Sequence, residues 1–251
     1  MIELDHIYNE DCLEGMKRME DGSIDCIITD LPYGTTANKW DSVIPFEPMW
    51  EQFHRVCKPT APIVLFAGQP FTSALVMSNP KEFRHEWIWI KNRGSNFANT
   101  VREPMKEHEE IVVFSKGGWT YNRQTQERTG GGADRVKYDF NFRSQSTNYR
   151  KFPERQTQNL GELRGPSSWQ KFNTETDGFH PTQKPVDLLR YLVMTYSNPG
   201  DLILDATIGS GTTAVAALME KRHFIGFETN KDYYDKAVER IEEVRRNPTL
   251  F

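Results

Sequence analysis

The chain has 251 residues, 37% of them hydrophobic and 26% charged, with a formal net charge of −4. That length and balance predict one soluble globular domain, or one with a sizeable insertion. They exclude a membrane-spanning chain, since no apolar run approaches the roughly 20 residues a span needs, and Met1-Ile2-Glu3-Leu4-Asp5 lacks the basic and apolar regions of a secretory signal.

Leu4 to Tyr8 predicts a short strand, and Asn9-Glu10-Asp11-Cys12 leads into a helix carrying Leu13, Met16 and Met19. Asp25 to Thr29 is an apolar run, read as a buried strand that Pro32 and Gly34 stop. The polar stretch Thr35 to Ser42 reads as a mobile loop. Pro45 opens a helix with Met49, Phe53 and Val56 on one face. Pro62 to Ala67 predicts a strand, Pro70 to Ser78 a helix, and Glu86 to Lys91 and Ile111 to Ser115 two further strands. From Lys116 to about Gly178 glycine and polar residues replace the apolar periodicity, over a length too great for a passive loop, so the segment reads as either a functional insertion or partly disordered. Order returns at His180, with Thr182 as a helix cap and Pro185 as a first-turn proline. The helix that follows carries Val186, Leu189, Val193 and Tyr196 on one face. Leu202 to Leu204 predicts a strand ending at Asp205, and a glycine turn then enters a helix with Val215, Leu218 and Met219. His223 to Phe227 is a strand ending at Glu228. Asn230 caps a last helix whose inner face is Tyr234, Ala237, Val238, Ile241 and Val244.

Two constellations in this succession carry chemistry. Asp30-Leu31-Pro32-Tyr33 places an acid, a rigid proline and an aromatic at the C-terminal end of a strand, the edge where ligands bind in open α/β sheets. A carboxylate and the Leu31 carbonyl can accept both hydrogens of a flat exocyclic amine, while Tyr33 stacks on its ring. Two acceptors on one amine pull its lone pair out of conjugation toward an electrophile. Taken alone, the four residues are equally well a plain turn. The second constellation runs from Leu202 to Glu228 as strand, glycine turn, helix, strand and acid. Gly209 and Gly211 let backbone N–H groups approach an anion at a helix start. Asp205 can meet an ammonium, and Glu228, 19 residues past Gly209, can hold the hydroxyls of a ribose. A carboxylate, an amine and a ribose in one ligand fit S-adenosyl-L-methionine. A dinucleotide site has a similar outline, and this region by itself leaves the nucleotide open.

Charge is unevenly spread. Gly117 to Lys171 holds ten Lys/Arg against five acids, a local charge of +5, and the remainder carries −9. A basic stretch in an acidic body reads as the footprint of a polyanion partner, or else as a solvated loop of mixed charge, and Trp119, Tyr121, Tyr138, Tyr149 and Trp169 interleave with its arginines. Cys12, Cys26 and Cys57 lie in separate predicted elements, which points to buried thiols in a reducing cytoplasm. The six histidines make no metal-ligand spacing with them.

Taken together, these blocks resemble the DNA amino-methyltransferases, and in their order the β group, in which the catalytic block precedes the cofactor block. Asp30-Leu31-Pro32-Tyr33 resembles that family's D-P-P-Y. His180-Pro181-Thr182-Gln183-Lys184-Pro185 matches its H-P-T-Q-K-P. Asp205-Ala206-Thr207-Ile208-Gly209-Ser210-Gly211-Thr212-Thr213 resembles its D-P-F-x-G-S-G-T-T. Leu31 and Ala206 stand where the family has proline, which loosens both turns without removing a functional side chain.

The resemblance implies a doubly wound α/β domain over residues 1–251, with a mostly parallel seven-stranded sheet, one strand of it antiparallel. Residues 117–178 would be an inserted target-recognition region. It implies methyl transfer from S-adenosyl-L-methionine to N6 of adenine in double-stranded DNA after base flipping, without a metal. Asp30, Leu31, Pro32 and Tyr33 are the implied catalytic block. Asp11, Thr182, Gln183, Lys184, Asp205, Gly209, Gly211, Thr212, Thr213, Glu228 and Asn230 are the implied cofactor residues. Arg123, Arg128, Arg135, Lys137, Arg143 and Lys151 are candidate DNA contacts. Methylation of cytosine N4 uses the same amine chemistry, and the family tendency of Asp at the first position favours adenine. A catalytically weakened DNA-binding relative is a further reading, motivated by Leu31 and Ala206. A homodimer, a cognate restriction endonuclease and a cytoplasmic location are also implied, and no membrane partner.

Overall fold

The computed structural model describes residues 2–35, 41–128, 162–175 and 182–247. It has two compact units, one formed by Met1–Asn122 with Ser168–Phe251 and the other by Arg123–Ser167. In chain order the elements are β1 (His6–Tyr8), α1 (Cys12–Met16), β2 (Cys26–Asp30), α2 (Phe46–Val56), β3 (Ile63–Ala67), α3 (Phe71–Ser78), β4 (Phe83–Ser95) and β5 (Lys106–Phe114). Then come β6 (Gln126–Glu127), β7 (Leu163–Arg164), β8 (Trp169–Lys171), α4 (Val186–Tyr196), β9 (Leu202–Asp205), α5 (Thr212–Met219), β10 (His223–Phe227) and α6 (Lys231–Arg246). No helix among the described residues is long and apolar enough to cross a membrane.

Among the described residues of the first unit, eight strands form one sheet in the order β1-β10-β9-β2-β3-β5-β4-β8. β5 is antiparallel to both neighbours, and the other pairings are parallel. The mostly parallel α/β sheet is as expected, but it has eight strands where seven were expected. The added strand is β8, whose Trp169–Lys171 pair with Ile88–Ile90 at the sheet edge. Three residues are too few to show an alternating pattern, so nothing local announces this strand. Long-range contacts hold it there: Gln170 is buried, and the Trp89 indole donates to the Phe172 carbonyl at 2.9 Å. In the second unit β6 and β7 pair as a short antiparallel ladder.

The sheet is covered on both faces, and the period of two along its strands sorts the side chains. Ile27 of β2, Ile63 and Leu65 of β3, Val112 of β5 and Phe227 of β10 join one core with Met16, Met49, Phe53 and Leu75 of α1, α2 and α3. Cys26 and Ile28, Val64 and Phe66, Ile111 and Phe224 join the other with Leu189, Val193, Ala216 and Ile241 of α4, α5 and α6. That three-layer, doubly wound arrangement is why β2 and β3 read as continuous apolar runs. The three cysteines are buried free thiols.

Three local expectations are corrected. α1 ends at Met16, short of Met19, though Met19 is still buried. Pro185, not Thr182, occupies the cap position of α4, with no side-chain cap bond; Thr182 stands three residues upstream and is exposed. Trp119 packs on the second core beneath the Arg84 guanidinium, so it is part of the fold and not of a polar arm. Of the Thr35–Ser42 loop, residues 36–40 lie outside the described residues. Its base is tied down by Asp41, whose carboxylate accepts from the Gly34 and Thr35 N–H groups at 2.8 and 2.9 Å.

Candidate active site

The strand order reverses direction between β9 and β2, and at such a switch point the loops leaving the C-terminal strand ends part to open a crevice. A cleft of about 1390 Å³ lies there, lined by Asp30 to Tyr33 after β2, Asp205 to Ser210 after β9 and Glu228 after β10. That exceeds the roughly 300–1,000 Å³ of a usual small-ligand pocket, enough for two ligands side by side. Both constellations therefore meet in one cavity, although 175 residues separate Asp30 from Asp205.

At the end of β2, Asp30 accepts a hydrogen bond from the Tyr33 hydroxyl on Oδ1 at 2.7 Å and from Lys184 Nζ on Oδ2 at 2.5 Å. The Tyr33 ring stacks on Phe71, with centroids 5.2 Å apart. Leu31 is buried in the first core, which explains an apolar residue at this turn, and with Pro32 and Tyr33 it also borders the cleft. Burial raises the Asp30 pKa, with Lys184 opposing and Glu109 reinforcing the shift.

Glu109, on β5, was not singled out by the sequence reading. Its Oε2 lies 3.4 Å from Lys184 Nζ, and its Oε1 pairs with Lys91. Burial raises its pKa, but Lys184 and Lys91 outweigh burial and hold it below the usual range. Lys184 is only 8% exposed. Burial would lower its pKa, and Asp30 and Glu109 together reverse that and keep it protonated. The signal in the sequence was an acid at an inward-facing position, two residues before the buried Ile111 on the same strand face.

The turn after β9 is built on Gly209 and Gly211, whose φ angles of 51° and 77° are left-handed. A Cβ on Gly211 would also lie 3.3 Å from the Ala237 Cβ. Asp205 is buried at the mouth of the turn, accepts from the Thr207 N–H at 3.1 Å, and is hydrogen-bonded by Thr213 and Thr29. Burial, partly offset by those bonds, pushes its pKa up to about 6. Thr212 and Thr213 are buried at the start of α5, and Arg240 of α6 donates to the Ser210 carbonyl and the Thr212 hydroxyl, each at 3.0 Å. Thr207 joins the two constellations: its hydroxyl donates to the Asp30 carbonyl at 2.9 Å and lies 2.9 Å from that of Thr29.

Glu228 accepts the Gly209 N–H at 3.0 Å and the Asn230 N–H at 2.7 Å, so the acid at the end of β10 also braces the glycine turn. Burial raises its pKa against those backbone bonds. Asn230 caps α6, accepting from the Asp232 and Tyr233 N–H groups. Asp11 caps α1 and lines the cleft, and the Asn9 side-chain amide donates to the Glu228 carbonyl at 2.7 Å. Thr182 and Gln183 line the same cleft, and Gln183 Oε1 is buried with no hydrogen-bond partner among the described residues. Of the candidate DNA contacts, Arg123 and Arg128 lie in the second unit, and Arg135, Lys137, Arg143 and Lys151 fall outside the described residues.

A family model described as DNA methylase, of the N6/N4 type, matches residues 24–239. The Type II methyltransferase M1.MboII of Moraxella bovis is 29% identical, over 94% of this chain and 96% of its own. The Type II methyltransferase M.HpaI of Haemophilus parainfluenzae is 28% identical, over 92% of this chain and 72% of its own. Among solved structures, the M1.HpyAVI–SAM complex aligns with a TM-score of 0.63 at 24% identity, covering 94% of this chain and 98% of that one. The PvuII DNA methyltransferase, cytosine-N4-specific, aligns with a TM-score of 0.64 at 15% identity, covering 96% and 91%. Those two likenesses are of fold. The family match runs from the start of β2 into α6 and takes in both constellations, so the chain belongs to the N6/N4 family of DNA methylases.

Proposed function

We propose that the chain is a site-specific DNA methyltransferase of the β group that methylates N6 of adenine in double-stranded DNA, with S-adenosyl-L-methionine as methyl donor. The observation that carries this reading is the convergence of Asp30 and Tyr33 with the Asp205–Thr213 turn on one cleft. The β-group assignment rests on chain order, the acid-proline-tyrosine block preceding the glycine turn.

The cleft residues fit the donor. The left-handed Gly209 lines the cleft and offers backbone, not a side chain, to its carboxylate. Buried Asp205 suits its ammonium, Glu228 its ribose hydroxyls, and the unpartnered Gln183 Oε1 a hydrogen-bond donor. Asp11, Thr182, Thr212, Thr213 and Asn230 complete the set by lining or bracing the same region. The donor supplies a methyl group already activated by a positively charged sulfur.

The chain's own task is therefore alignment and charge placement. A base inside a duplex cannot reach Asp30, so it must leave the stack. Asp30 then accepts a hydrogen bond from the exocyclic amine, and the ring lies against Tyr33, itself held by Phe71. Asp30 also lies where it can take the surplus amine proton, and its raised pKa suits that proton's passage to solvent.

N4 of cytosine is the second reading, favoured by the fold shared with the cytosine-N4-specific PvuII enzyme. Nucleosides digested from DNA of an expressing strain decide between them: N6-methyladenine is expected, and N4-methylcytosine alone would replace the adenine assignment. Residues 117–178, with Arg123 and Arg128, are proposed as the target-recognition region, and a homodimer and a cognate endonuclease as partners.

A further inference from the structure

Asp30 is surrounded by more charge than a hydrogen-bond acceptor needs. Lys184, Glu109 and Lys91 join it in a network of two cations and two anions, with Lys184 and Glu109 largely buried. Burying ions costs several kcal/mol each, and replacing a buried ion pair by apolar side chains is often neutral or stabilising. Stability alone therefore does not account for the network. Lys184 carries three N–H donors. Asp30 Oδ2 takes one at 2.5 Å and Glu109 Oε2, 3.4 Å away, engages at most one more, which leaves a donor over. Lys184 lines the cleft with donor capacity to spare, next to the acceptor assigned to the amine.

On its Watson–Crick edge, adenine carries the N6 amine, a donor, beside ring N1, an acceptor. Cytosine carries N4 beside N3 in the same relation. The edge donor–acceptor is the complement of Asp30–Lys184, acceptor–donor. We propose that Lys184 reads the flipped base, its Nζ donating to the ring nitrogen beside the amine, and that Glu109 is the positioning residue that holds Nζ there. This rests on Asp30 being the amine acceptor. It moves Lys184 from the cofactor to the base. It also gives the site two reasons to reject guanine and thymine, whose ring N–H meets a donor and whose exocyclic oxygen meets a carboxylate.

The test uses the full chain and a duplex bearing its recognition sequence, with the target opposite an abasic site so that pairing does not differ, and with 1-deaza-2′-deoxyadenosine at the target, or 3-deaza-2′-deoxycytidine if the product is N4-methylcytosine. Two quantities are read: kcat/KM, and duplex affinity with S-adenosylhomocysteine present, which needs no turnover. The parent should lose about 10- to 100-fold on the deaza duplex, the range for a hydrogen bond to a charged donor. Lys184→Met should close that gap to within threefold, and Glu109→Gln should narrow it while cofactor affinity stays near the parent's. A parent that treats the two duplexes alike overturns the proposal even if Lys184→Met does not fold. A gap that persists undiminished in folded Lys184→Met also overturns it. Failure of the underlying reading looks different: Asp30→Ala would then still methylate, whatever the deaza duplex shows.

Discussion

Two carboxylates with raised pKa values, buried Asp205 and half-buried Asp30, line the same cleft, and their partners differ. Asp30 meets Tyr33 and Lys184, on the side proposed for the base. Asp30→Ala is expected to abolish methyl transfer while leaving calorimetric affinity for S-adenosyl-L-methionine within a few-fold of the parent. Activity within tenfold of the parent would sink that role. Asp205 has no cation beside it among the described residues, only hydroxyl and N–H donors. Its pKa rises from 3.8 to about 6 on folding, so the folded state prefers the protonated form. The native chain then binds more protons than the unfolded one between those values, and without cofactor this group's contribution to stability falls as pH rises through them. A cofactor ammonium needs the ionised form. Affinity should therefore weaken as pH drops below about 6. Calorimetric titrations across that range should show this in the parent and not in Asp205→Asn. An equal pH dependence in both would remove Asp205 from the ammonium site.

At the scale of elements, α6 is a brace for the glycine turn after β9 as well as a core helix. Its cap Asn230 also donates its own N–H to Glu228, and Arg240, three turns further along, holds the Ser210 carbonyl. Asn230→Ala removes the side-chain cap, a loss of about 1 kcal/mol. In a chain of this size that lowers Tm by roughly 2–4 °C. Differential scanning calorimetry checks it, and an unchanged Tm would show that Lys231 and Asp232 start the helix without help. The existence of α6, its cap and its buried Ala237, Ile241 and Val244 were legible in the sequence, because a cap followed by a 3.6-residue apolar period is a local pattern. The bracing was not, because it depends on which turn the helix packs against.

At the scale of the molecule, the compact division at Arg123–Ser167 is narrower than the basic stretch. Trp119 belongs to the core of the first unit and β8 to its sheet, so excising 117–171 would remove both. Replacing Arg123–Ser167 with a short Gly-Ser linker should leave a folded protein that binds S-adenosyl-L-methionine and has lost specific methylation. Continued methylation of the parent's recognition sequence would place target reading elsewhere, with Asn92–Met105 the first region to examine. The expected homodimer is checked by sedimentation, where only a species near 29.2 kDa at micromolar concentration would reject it.

By itself the sequence determined the alternation of strands and helices, the acid-proline-tyrosine block, the glycine turn and the acids that end β2, β9 and β10. Each is a contiguous pattern whose physics is local: apolar period, turn chemistry, left-handed backbone. Only the tertiary structure decided which of these meet. Lys184 reaches Asp30 across 154 residues of chain, and Asn9 reaches the Glu228 carbonyl across 219. Glu109 enters the site because β5 runs antiparallel beside β3, whose other neighbour is β2. Partnerships of that kind follow from strand order, and strand order is set by burying both faces of the sheet at once, a condition no short window of residues contains.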